Sequence, residues 1–235
     1  MDNNFTTRTG LIIGDEGVEK LKNSNVIVFG VGGVGSFAAE AIARAGVGNL
    51  TIVDFDDVDI TNINRQLPAL HSTIGRLKVD VMKERILDIN PNINIKAINE
   101  TYNKETSEKI LTESYDYVVD AIDMVTSKIH LIETCNKRGF EIISSMGMGN
   151  KIDPTKIVVT DIYKTSMCPL AKVMRKELRD RKVKKLKVVY STEQPKELKK
   201  KISNGKKVTP GSISFVPSVG GLTIASVVIN DLLNK

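Results

Sequence analysis

A short apolar run, Asn25-Val-Ile-Val-Phe-Gly30, opens into Gly30-Val-Gly-Gly-Val-Gly35 and then into a small-residue stretch from Ser36 to Ala45. This order constrains the chain more than any other feature. A β-branched run ending in glycine reads as a buried parallel strand. The stretch after it, with Ala38, Ala39, Ala41, Ala43 and Ala45 before Gly46, reads as a helix packed closely on a sheet. Gly30, Gly32, Gly33 and Gly35 then fill the strand-to-helix turn of a dinucleotide fingerprint: tight turn, close backbone approach to phosphate, and helix packing. The helix N-terminus attracts anionic oxygens. Asp54 closes the next apolar run, Leu50 to Asp54, 24 residues after Gly30, the spacing of a carboxylate that takes ribose hydroxyls.

The alternation continues. Helices are expected over Lys78 to Ile89, Glu105 to Leu111 and Ser127 to Arg138, and strands over Asn94 to Ala97, Tyr117 to Asp120 and Glu141 to Ser145. That spacing predicts an α/β, Rossmann-like, doubly wound and mostly parallel sheet. After Asn150 the pattern weakens. Lys156 to Asp161 and Leu186 to Ser191 read as strands around a basic amphipathic stretch, Ala171 to Arg179; Glu193 to Pro210 reads as a loop, and Ser214 to Leu233 as a strand plus a terminal helix. The chain, 1–235, is treated as one domain, with 5–150 as nucleotide-binding core and 151–235 as a C-terminal part bearing a basic insertion.

The charge is unevenly placed. The formal net charge is +6, yet 172–207 holds 15 Lys and Arg against four acids, so the remainder is slightly acidic. Such a basic segment suits a phosphate backbone, with Lys182, Lys184, Lys185 and Lys187 as candidate RNA contacts. Two cysteines make neither a disulfide framework nor a four-thiolate zinc site, which fits a reducing cytoplasm. Cys135 reads as a small buried hydrophobe and Cys168 as structural; His71 and His130 stand apart from any metal-ligand pattern. No secretory h-region opens the chain. Ser212 to Asn230 carries no charge but contains Pro217, serines and paired glycines, so it is expected to be a buried helix rather than a membrane span.

A nicotinamide dehydrogenase is the default reading of the fingerprint, but the loop from Asp54 to Gln66 does not suit hydride transfer. It packs acids, Asn62, Asn64 and Arg65 together. Arg65 and Lys78 on either side of a triphosphate would neutralise charge developing on the phosphates. Lys78 opens a helix, where the macrodipole disfavours a cation unless an anion is bound nearby. Asp120 and Asp123, in Asp-Ala-Ile-Asp, end a strand on the ligand side of the sheet, where a carboxylate can hold Mg²⁺ with its waters and substrate phosphates.

Together, the glycine turn, Asp54-x-Asp56, Thr-Asn-Ile-Asn-Arg-Gln, Lys78 and Asp-Ala-Ile-Asp resemble the adenylating domains of the ThiF, MoeB and ubiquitin-activating superfamily. The resemblance implies ATP as substrate, with Gly33 and its neighbours on the phosphates, Asp54 on the ribose, and Asn62, Arg65 and Lys78 on the triphosphate. Asp56 joins this set, and Asp123 is implied as the Mg²⁺ ligand. Arg8 matches an N-terminal arginine that reaches across a homodimer into the partner's ATP site. Members that activate sulfur carriers commonly hold zinc with Cys-x-x-Cys pairs, which this chain lacks.

The C-terminal third resembles the branch acting on transfer RNA, the threonylcarbamoyladenosine dehydratases, in Ser-Ser-Met-Gly-Met-Gly-Asn-Lys-Ile-Asp-Pro, Tyr-Ser-Thr-Glu-Gln-Pro and Phe-Val-Pro-Ser-Val-Gly-Gly-Leu. One departure is Cys168-Pro169, where that branch usually has Asp-Pro. The resemblance implies ATP-dependent adenylation of the substrate carboxylate, then ring closure with loss of AMP; a sulfur-relay protein is a candidate partner on which the sequence itself is silent. The alternative is an adenylyltransferase for a ubiquitin-like sulfur carrier.

Overall fold

The computed structural model describes residues 4–204 and 207–235; Lys206 of the basic segment lies outside the described residues. A seven-stranded sheet runs in the order β3-β2-β1-β4-β5-β7-β6. Its strands are β1 (Asn25–Phe29), β2 (Asn49–Val53), β3 (Asn94–Ile98), β4 (Tyr117–Asp120), β5 (Ile142–Ser145), β6 (Ile157–Asp161) and β7 (Lys187–Ser191). All neighbours pair in parallel except the last, where β6 lies antiparallel to β7 as the edge strand. The doubly wound reading holds, with an antiparallel edge added by the C-terminal third.

Both faces of the sheet are buried, which explains the near-continuous apolar strands. Val26 and Val28 face one core with helices α2 (Gly35–Arg44), α3 (Lys78–Ile89) and α7 (Phe215–Leu233). Ile27 and Phe29, one residue out of phase, face a second core with α4 (Ser107–Ile110) and α5 (Val125–Arg138). A third cluster joins α5 to α6 (Pro169–Asp180) through Ile132, Met174, Leu178 and Val188. The basic stretch is therefore a core helix with a charged outer face, and only the segment beyond Ser191 leaves the sheet.

Several expected boundaries move for physical reasons. Ser214 to Leu233 holds no strand; α7 runs through it as one helix. Pro217 sits in the first turn, where the missing N–H would have had no intrahelical acceptor. Among the described residues α7 is the helix long and apolar enough to cross a membrane, and its stripe of Val216, Gly220, Ile224, Val228 and Leu232 is buried. The helix expected from Glu105 starts later, because the Asn103 side chain accepts from the Glu105 and Thr106 N–H groups and holds a turn there. The segment Glu193 to Pro210 is not wholly irregular: β8 (Ser203–Asn204) pairs antiparallel with β9 (Lys207–Val208). An N-terminal helix, α1 (Thr7–Asn23), was not anticipated; it is interrupted at Gly14, whose φ is 73°.

Cys135 is buried in the second core, and that burial, with Asp120 beside it, pushes the thiol up to about 12. A maleimide at neutral pH is therefore expected to leave Cys135 unlabelled in the native protein and to label it fully in denaturant. Peptide mapping checks this, and rapid native labelling would contradict the burial.

Candidate active site

The strand order reverses direction between β2-β1 and β4-β5, which opens a crevice at the C-terminal ends of β1 and β4. A cavity of about 370 Å³ occupies it. Gly30, Gly32, Gly33, Asp54, Asp56, Arg65, Lys78 and Asp123 all line this cavity. The sequence scatters these residues over nearly a hundred positions, and the sheet brings them together.

The turn is built by steric necessity. Gly30 has φ 83°, and a Cβ there would meet the Ala121 carbonyl oxygen at 2.7 Å. Gly35 lies directly behind it, where a Cβ would overlap the Gly30 carbonyl oxygen at 1.7 Å. Helix α2 begins at Gly35 with no side-chain cap on its first N–H groups, and Gly33 and Val34 before it border the cavity. An uncapped helix start facing a cavity is an anion seat.

Asp54 is half-buried. Its Oδ2 accepts from Val31 N–H at 2.7 Å and its Oδ1 from Asp56 N–H at 2.9 Å. Burial raises its pKa, and these two hydrogen bonds oppose the rise. Each oxygen keeps a lone pair for a ligand hydroxyl. Lys78, the first residue of α3, is 4% exposed and donates to Asp56 Oδ2 at 2.7 Å. A cation at a helix start is thus neutralised here by a neighbouring carboxylate. The Arg65 guanidinium donates to the Thr61 carbonyl and to Asn64 Oδ1, while its stem lies near Gly33.

Asn62 is placed differently from the expectation. It does not line the cavity; its Oδ1 accepts from Asp59 N–H in a capping box closing a short 3₁₀ turn. The cap engages the side-chain oxygen, an acceptor, whereas a triphosphate would be met by the amide NH2. Arg8 is exposed on α1 and does not line its own chain's cavity. The two carboxylates of Asp-Ala-Ile-Asp separate cleanly. Asp120 is fully buried, taking Lys128 Nζ at 2.7 Å, Ser144 Oγ at 2.6 Å and the Ile122 N–H at 3.1 Å. Asp123 is exposed in the cavity wall with no hydrogen bond or ion pair among the described residues. It alone of the two is free for a cation.

The donor set suits a hard cation held jointly with phosphates. Among the described residues no group of three or more metal-ligating side chains exists. Mg²⁺ is typically held by one or two carboxylates plus phosphate oxygens and water, so Asp123 suffices only once a nucleotide is present. A further residue was not singled out, although it lies in a quoted motif. Gln66 lines the cavity, and its Oε1 is buried without a hydrogen-bond partner. A buried orphan acceptor of this kind fits a ligand donor that completes it.

The four candidate RNA lysines lie at the other end of the sheet. Lys187 opens β7 at its N-terminal end, whereas the cavity is at the C-terminal ends, and its Nζ pairs with Asp231 at 2.5 Å. Lys182, Lys184 and Lys185 follow the C-terminus of α6 on that same far edge. Residues nearer the cavity are Pro210, Gly211 and Ser212, which line it directly.

Comparison with known proteins agrees with this geometry. The chain is 50% identical over 238 residues to the tRNA threonylcarbamoyladenosine dehydratase of Bacillus subtilis, covering 97% of this chain and 94% of that one. Its structure is similar to that of the E. coli tRNA N6-threonylcarbamoyladenosine dehydratase TcdA in complex with ATP. The TM-score is 0.89 at 33% identity, over 97% of this chain and 93% of the other. The AMP complex of the same E. coli enzyme gives 0.89 at 34% identity with the same coverage. The ThiF family model matches residues 7–235. With the glycine turn, the Asp54 carboxylate and the cavity cations on one crevice, and the family pattern spanning residues 7–235, the chain belongs to the ThiF family.

Proposed function

We propose that this chain dehydrates threonylcarbamoyladenosine in transfer RNA to its cyclic form, using ATP. The observation that carries the proposal is similarity over nearly the full length to a dehydratase of that name, extending through the C-terminal third that lies outside the nucleotide-binding core. A carboxylate is a poor electrophile, so it must first be activated. The free carboxylate of the modification attacks the α-phosphorus of ATP, forming an acyl-adenylate and releasing pyrophosphate. A second atom of the same modification then attacks the activated carbonyl. AMP leaves, a ring closes, and the net change in the RNA is loss of one water.

The residues divide this work. The N–H groups at the α2 start and the Gly33 turn seat the phosphates, and Asp54 accepts from the ribose. Lys78, moving from Asp56, and Arg65, moving from Thr61 and Asn64, meet the charge that develops on the phosphates. Asp123 holds Mg²⁺, which supplies Lewis-acid charge neutralisation when bound. Ring closure needs no enzyme nucleophile, because a tethered nucleophile reaches an effective molarity on the order of 10⁵ M or more. The enzyme works in the cytoplasm as a homodimer, with Arg8 serving the partner's site. Exposed Leu11 and Ile12, one turn from Arg8 on α1, support a covered face there. A sulfur-relay protein is a further proposed partner.

ATP–pyrophosphate exchange tests the reading. Exchange should rise strongly when modified transfer RNA is added, and the product nucleoside should be lighter by one water. Exchange that responds only to a Gly-Gly-ended carrier protein would remove the proposal in favour of a sulfur-carrier adenylyltransferase.

A further inference from the structure

The fold divides the basic segment in two. Its first half begins within α6, whose N-cap Cys168 abuts Gly147 in the cavity wall, and runs on beyond it. Twelve residues of α6, about 18 Å of helix, then carry the chain away from the cavity before Lys182 is reached. Several charges there are already met: Arg181 by Glu177 and Glu133, Lys187 by Asp231.

The second half is mounted on the cavity rim. Lys196 N–H donates to the Asn150 carbonyl at 2.7 Å, and Asn150 N–H donates to the Gly211 carbonyl at 2.8 Å. Gly211 N–H returns to Asn150 Oδ1 at 2.6 Å. Asn150 holds a left-handed backbone, φ 59°, that these bonds fix. Beside it the buried Lys151 ammonium donates to the Ser191 and Glu193 carbonyls, and the Glu193 carboxylate accepts from Ile152 and Asp153 N–H. Both feet of the loop are therefore clamped to one turn at the cavity. Between them Lys199, Lys200 and Lys201 are exposed, with no ion pair among the described residues, and Glu197 is the only acid from 194 to 211.

We propose that Lys199, Lys200 and Lys201 grip the phosphates flanking the modified nucleotide as the anticodon loop enters the cavity. This rests on the transfer-RNA reading above. The reacting carboxylate must lie inside the cavity, so the phosphates next to it lie at the rim, where this loop stands, and not at the far edge of the sheet. Phosphate contacts of this kind fix register without reading sequence.

The test is binding of a labelled, unmodified anticodon stem-loop RNA, followed by fluorescence anisotropy across a salt series. Lys199→Glu/Lys200→Glu/Lys201→Glu is expected to weaken binding at least tenfold. A Lys→Gln version of the same triple is expected to lower the log–log salt slope by about 2, at about 0.7 per single-strand contact. ATP binding should stay unchanged in both, which controls for folding. Lys182→Glu/Lys184→Glu/Lys185→Glu should bind within twofold of the natural chain. Unchanged affinity in the loop variants, or a larger loss in the far-edge variant, would overturn the proposal. If the natural chain binds the stem-loop through these lysines but never converts modified RNA, the proposed function falls and this surface stands.

Discussion

Replacing Lys128 with methionine is expected to lower the unfolding free energy by about 3–5 kcal/mol, the usual cost of leaving a buried charge without its partner. Lys128 and Asp120 are both fully buried and meet at 2.7 Å, with Ser144 completing the cluster. A charge deprived of its partner there has no water to turn to. For a chain of this length the melting temperature should fall on the order of 10 °C. The double variant Asp120→Asn/Lys128→Met removes both charges and keeps an acceptor for the Ile122 N–H, so most of the loss should be recovered. Chemical denaturation of the natural protein and the two variants measures this. A Lys128→Met single variant as stable as the natural protein would show that the pair contributes nothing. The pair matters for the site because the turn from Ala121 to Met124 hangs from Asp120 and carries Asp123.

Asp123→Ala should act in the opposite way, sparing the fold and removing the chemistry. Its carboxylate is exposed and makes no contact among the described residues, so the circular dichroism spectrum and melting temperature should hardly change. ATP–pyrophosphate exchange should fall by about 10²–10³, the scale for deleting one preorganised electrostatic group. Arg65→Ala should fall in the same range for the same reason. Raising Mg²⁺ should recover part of the Asp123→Ala loss and none of the Arg65→Ala loss. Normal exchange in both variants would remove them from the active site.

The nucleotide half of the molecule is legible because its signals are local. The run Val26 to Phe29, the glycines after it and the alanines of α2 each demand one conformation, and together they position Asp54. The misjudged parts turn on information that a linear reading does not hold. Ser214 to Leu233 reads as a strand plus a terminal helix, yet Pro217 costs little in a first helical turn, and α2 supplies the buried face that the stripe from Val216 to Leu232 needs. Gly10, Gly14 and Gly17 punctuate α1 and hide its period; Leu11 and Ile12 remain exposed in the single chain. For the basic segment, the composition is plain but its placement is topological. Only the parallel register of β7 against β5 shows that Lys187 begins a strand whose other end lies on the cavity side of the sheet. Asn62 shows a third kind of limit, a motif residue that a cap three residues away holds off the cavity lining.

The pairing of Lys78 with Asp56 has a bearing on turnover. The nucleotide seat carries its own tethered counter-anion, held at fixed distance and never diluted. If the lysine serves ATP as proposed, a polyphosphate must displace this internal rival first, and the multiply charged chain of ATP is better able to do so than a monophosphate. On the proposed adenylating reading, once pyrophosphate has left, the same carboxylate is still at hand to reclaim the lysine. On that reading the rival weakens the hold on ATP and on pyrophosphate alike, so product release is eased at some cost in substrate affinity.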